Sequence, residues 1–188
     1  MGVYGLHVRV NDTELAVLES LASDQGRLDH FFDALEESKF GTTESVQTHK
    51  TWRLIHAAMN NVDPRESILP GHFGDGQSID GFHQSIESAA EVSAYSKYLI
   101  TGREVLISVT GDYLALTRKS DVERVSKAIS SISQEEVSRR IYQLYNRLGL
   151  AEHAVYDSKY AAGWYPALQE LYACAAAEGQ HILFSASG

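Results

Sequence analysis

Both ends of the chain read as β-strands. Tyr4, Leu6, Val8 and Val10 are interleaved with Gly5, His7 and Arg9, the two-residue period of a strand with one face on a core, which predicts a strand over 2–10. The run His181-Ile182-Leu183-Phe184-Ser185-Ala186 predicts a second one, tying down the other end. Between them, Glu104 to Val109 and Tyr113 to Leu116 flank Gly111-Asp112 and predict a hairpin. Strands at both ends, a hairpin between them and grouped helices predict an α+β fold with a small, mainly antiparallel sheet covered by several helices, rather than repeated βαβ units.

The helices announce themselves by caps and periods. Asn11-Asp12-Thr13 precedes Leu15, Leu18 and Ala22, predicting a helix to about residue 22, and Asp29 to Glu37 reads as a second with Phe31, Phe32 and Leu35 inward. A helix over about 46–60 places Trp52, Ile55, His56 and Met59 at i, i+3, i+4 and i+7 on one buried face. Residues 84–99 are read as helical. Ser120-x-x-Glu123 and Ser133-x-x-Glu136 both match the capping box, so helices begin there; the second stops at Gly149. A last helix, bracketed by Pro166 and Gly179, carries Leu168, Leu171, Tyr172 and Ala175 on one face.

With 188 residues, one domain is expected, and 44% hydrophobic residues give it a core. The formal net charge of −9 opposes nucleic acid or anionic lipid as the main partner. A single cysteine, Cys174, fits a reducing cytoplasm, and no apolar run reaches the ~18 residues of a membrane span. Soluble, cytoplasmic residence is the expectation.

The pattern then resembles the YfbM-like family, a bacterial domain of unknown function. The resemblance runs through Met1-Gly2-Val3-Tyr4-Gly5, Trp52-Arg53-Leu54-Ile55-His56, Tyr113-Leu114-Ala115-Leu116-Thr117 into the Val122 helix, Ile132-Ser133 with Glu136, and Leu171-Tyr172 to Ala177-Glu178-Gly179 before a strand. It implies a single α+β domain over 1–188 and no established reaction. Arg53 stands where that family tends to have an acid, and Asn61 to Arg103 is longer than the family core, an expanded insert with a glycine-rich loop.

Chemistry is sparse. His49 and His56 lie seven apart, about 10.5 Å along a helix, whereas helical metal pairs use i, i+4 spacing. No metal or cofactor is expected. His56 in its apolar stripe is read as a hydrogen-bonded structural histidine, and Trp52 as core whose N–H could wall a pocket. Pro70-Gly71-His72-Phe73-Gly74-Asp75-Gly76 lacks the ending of a phosphate loop and reads as surface loop, with His72, Asp75 and Asp80 as contact candidates. Cys174 sits at the margin of an apolar face, a packing residue rather than a thiolate.

The function expected is therefore a small binding or interaction protein, immunity-type or regulatory, without catalysis. It would take a protein partner or small polar ligand through the 61–83 loop or an acidic face of Asp29, Asp33, Glu36 and Glu37. The alternative is an enzyme on a small polar metabolite, with His56 as acid or base beside Trp52. Subunit contact through exposed Tyr160 and Tyr165 would be compatible with either, the oligomeric state being open.

Overall fold

The structure, a computed structural model, describes residues 4–21, 24–60, 100–102, 104–109, 112–147 and 149–187. Among these lie five strands, β1 (Tyr4–Val10), β2 (Ser45–His49), β3 (Glu104–Val109), β4 (Asp112–Thr117) and β5 (His181–Ser187). Seven helices accompany them: α1 (Asp12–Leu21), α2 (Gln25–Lys39), α3 (Trp52–Asn60), α4 (Lys119–Ser130), α5 (Gln134–Arg147), α6 (Ala151–Gly163) and α7 (Tyr165–Glu178). The sheet runs β2-β1-β5-β4-β3 with every neighbouring pair antiparallel, as the α+β reading requires. The strand at the end of the sequence lies at the sheet's centre.

Both faces of the sheet are covered, and this departs from the alternation. Leu6, Val8 and Val10 of β1 meet Leu15 and Leu18 of α1 and Leu28, Phe32 and Leu35 of α2. The opposite face packs on the other helices, joining Ile182 of β5 to Ile129 of α4 and Tyr172 of α7. His7 and Arg9, on the side that alternation assigns to solvent, are buried beneath that second layer. Each has a polar partner, as burial demands: His7 Nε2 is 2.9 Å from the Ile100 carbonyl oxygen, and Arg9 Nη1 is 3.0 Å from Glu178 Oε1.

Other boundaries move for local reasons. Residues 45–49 form the edge strand β2, and the helix begins only at Trp52, so the 46–60 helix and the axial rise between His49 and His56 do not hold. His49, at φ +48, turns the chain between the two. The second helix starts at Gln25, with the Asp24 carboxylate accepting from the Arg27 N–H. Ser133 caps its helix as expected, its Oγ accepting from Glu136 N at 3.2 Å, while the Glu136 carboxylate turns to Arg139 and Arg140 rather than closing the box. The Ser120 box does not form: Arg118 is the cap residue of α4, and the Lys119 N–H donates to His181 Nδ1 at 3.1 Å. Gly149 and Gly179 take the expected left-handed conformation. The region 61–99, with its proposed helix at 84–99 and its glycine-rich loop, lies outside the described residues.

Candidate functional site

The Trp52 stripe points inward. Trp52, Ile55, His56 and Met59 are all buried, and Trp52 meets Phe184 edge to face at 5.3 Å between ring centres. The indole lies on Gly5: a Cβ there would sit 2.4 Å from Trp52 Cδ1 and 2.7 Å from Cγ, so only glycine permits the approach. Arg53 covers the indole, its guanidinium carbon 5.3 Å from the ring centre. His56 is 6% exposed, and its Nδ1 lies 3.3 Å from the Asn60 side-chain amide. Burial drives its pKa down to about 4, so the ring is neutral at pH 7.

His7, which the sequence did not single out, is its counterpart under α7. Its ring lies 4.8 Å from Phe184 and 6.5 Å from Tyr172. Burial lowers its pKa to about 4, against the raising effect of the Ile100 and Val46 carbonyls. A general acid or base must reach a substrate proton. Among the described residues no carboxylate contacts either histidine.

A third histidine is held between two partners. His181 Nδ1 accepts from the Lys119 amide, and Nε2 lies 2.9 Å from Asp12 Oδ1. The accepting Nδ1 leaves the proton on Nε2, which donates to Asp12. Lys119 Nζ reaches both oxygens of the same carboxylate at 2.7 Å. Those contacts hold Asp12 below the usual carboxylate range, Lys119 first and His181 second. Both ring nitrogens are thereby occupied in joining β5 to the starts of α1 and α4. Lys39 is likewise enclosed, donating to the Arg9 carbonyl at 2.6 Å and lying 2.9 Å from Glu14 and 3.0 Å from Glu44.

What remains available is on the outside. Asp29, Asp33 and Glu37 are exposed and Glu36 half-buried along α2, with no cation within salt-bridge distance of any of the four among the described residues. Burial and then the Asp33 charge raise the Glu36 pKa. Phe40, 55% exposed, closes the same helix. By contrast, Arg139 and Arg140 are engaged by Glu136, whose pKa they lower to about 2, and Lys119 by Asp12. Between α5 and α6 runs a slot of about 370 Å³, lined by Glu135, Ser138, Arg139, Tyr142, Val155 and Lys159 among others. Tyr160 is exposed, but Tyr165 is fully buried, its hydroxyl donating to the Ile129 carbonyl at 2.8 Å, so it cannot serve in a subunit contact. Cys174 is half-buried on α7. His72, Asp75 and Asp80 lie outside the described residues, so the structure brings together only Trp52 and His56 of the predicted set.

A family model described as a domain of unknown function (DUF1877) matches residues 1–185. The chain belongs to this family. The crystal structure of YfbM from Escherichia coli, itself titled a protein of unknown function, is similar over 97% of this chain and 99% of that one, with a TM-score of 0.55 and 12% identity. At that identity the likeness shows the shared fold. No curated protein matches this chain. Neither the family's description nor the relative's title names a specific activity. No helix among the described residues is long and apolar enough to cross a membrane.

Proposed function

We propose that this member of the family is a non-catalytic interaction protein, immunity-type or regulatory, that holds a basic protein partner on the α2 ridge. One observation carries the reading: four carboxylates follow one another along α2 without a neutralising cation among the described residues, beside the exposed ring of Phe40. Like charges on one helix weaken it by a few tenths of a kcal/mol per pair, a cost that a cationic partner would reverse. An aromatic at the edge of such a ridge supplies the apolar anchor that charge alone lacks. The family match from 1 to 185 supports one domain, and the single cysteine supports a reducing cytoplasm as the setting.

The test compares the wild-type chain with an Asp29→Asn, Asp33→Asn, Glu37→Gln variant as baits in source-cell lysate at low and at high salt. A cognate partner should be retained by the wild type at low salt, lost at high salt, and absent from the variant. The same captured proteins on both baits would overturn the reading.

A further inference from the structure

Exposed large apolar side chains concentrate on one region. Of the nine found among the described residues, Tyr142, Leu150, Val155, Tyr156 and Tyr160 all belong to α5, α6 or the turn joining them. Helix α6 is turned inside out in composition: Ala154, Ser158, Ala161 and Ala162 face the core, while Tyr156 is 72% and Val155 56% exposed. Contiguous exposed apolar surface of this kind marks an interaction site.

The charges on the same stripe favour one occupant. Glu152, Val155, Tyr156 and Lys159 recur at i, i+3, i+4 and i+7, one face of a helix. Glu152 and Lys159 are about 10.5 Å apart along the axis, too far to pair with each other. Lys159 has no carboxylate within 4 Å among the described residues, and Glu152 has only the neighbouring His153 Nε2, at 3.3 Å. In an antiparallel pair of α6 helices related by a two-fold axis between residues 155 and 156, residue numbers facing each other sum to 311. Glu152 then faces Lys159 of the second copy, Lys159 faces its Glu152, and Val155 faces its Tyr156, each contact occurring twice. That is the self-complementarity an isologous interface requires.

We propose that the exposed face of α6 is a homodimer interface, its occupant a second copy of this chain packed antiparallel on the same helix. The register also sets the partner's Tyr156 over Val155, which forms part of the wall of the slot between α5 and α6. Parallel Tyr156 and Tyr160 rings, 6.1 Å apart at 8°, present a continuous aromatic surface to it. This proposal is independent of the α2 ridge, and both surfaces could be used together.

Sedimentation equilibrium of the full chain across the micromolar range tests it. The wild type should show a reversible monomer–dimer equilibrium. Lys159→Glu sets like charges opposite each other twice and should raise the dimer Kd by about tenfold, as should Tyr156→Ala by removing the central ring. Glu152→Lys with Lys159→Glu in one chain re-creates both pairs with reversed polarity and should return Kd to within about threefold of wild type. All three substituted positions are exposed, and circular dichroism checks that each variant is folded. A wild type that stays monomeric, a dimer that ignores Lys159→Glu and Tyr156→Ala, or a double reversal that fails to restore association would each overturn the proposal.

Discussion

Acidification from about pH 6.5 toward pH 4 should strip stability from this protein at a rate set by two histidines. His7 and His56 are both buried, and both have pKa values lowered from 6.5 to about 4. Between those values the unfolded chain binds two protons that the native one refuses, so stability rises with pH and falls on acidification. A difference of about 2.5 pKa units is worth roughly 3 kcal/mol per histidine across the window, and the slope with both acting is about 2 to 3 kcal/mol per pH unit. The pair together approaches the whole stability of a typical domain, about 5–15 kcal/mol. Carboxylates that are depressed in the native state, such as Asp12, Glu104 and Glu136, lose their contribution only as pH falls through and below their unfolded range. Glu36, whose pKa is raised, acts in the opposite sense. Urea midpoints measured in steps from about pH 6 to about pH 5 therefore isolate the histidines. His56→Gln and His7→Gln should each cut the slope by about half, whatever they do to stability at pH 7. A wild-type slope near zero, or one that neither substitution alters, would show that the rings titrate normally and that their burial is not what the fold enforces.

Two further perturbations probe the packing. Gly5→Ala drives a methyl into a fully buried Trp52 that already abuts Phe184, and overpacking of this kind should cost about 2 kcal/mol, or roughly 4–8 °C in Tm. Trp52→Phe should relieve part of that penalty, and calorimetry of the four-member cycle measures the coupling. Lys39→Met removes the cation shared by Glu14, Glu44 and the Arg9 carbonyl; because the two carboxylates are partly exposed, the loss should be about 2 kcal/mol in denaturant melts. A variant as stable as wild type would mean that the enclosure contributes nothing.

Much of this arrangement is visible in the sequence, and the misses have physical causes. Strand alternation placed β1, the apolar run within 181–186 placed β5, and the apolar period of residues 52–59 correctly turned Trp52 and His56 inward. Alternation failed at His7 and Arg9 because it assumes one wet face, whereas β1 is covered on both. Strand β2 escaped notice because Ser45-Val46-Gln47-Thr48-His49 carries one large apolar residue and pairs only at the sheet's edge. Helix α6 escaped because its buried face is built from alanines and a serine, leaving no large-residue period to read. The Ser120 box looked competent, but α4 begins at Lys119 with Arg118 as its cap residue, which puts Ser120 inside the first turn instead of at the cap. The Asp12–His181 and Lys39 networks join residues 169 and 25 positions apart, respectively, beyond any local pattern.

The middle strand of the sheet is made after every other described element, and this orders the molecule's assembly in time. Until residues 181–187 emerge, β1 with β2 and β4 with β3 are two separate ribbons, each offering an open row of amides and carbonyls to any strand that meets it first. Synthesis halted at residue 180 would therefore yield a chain with all seven described helices and no keystone, a substrate for chaperones rather than a shortened version of the protein.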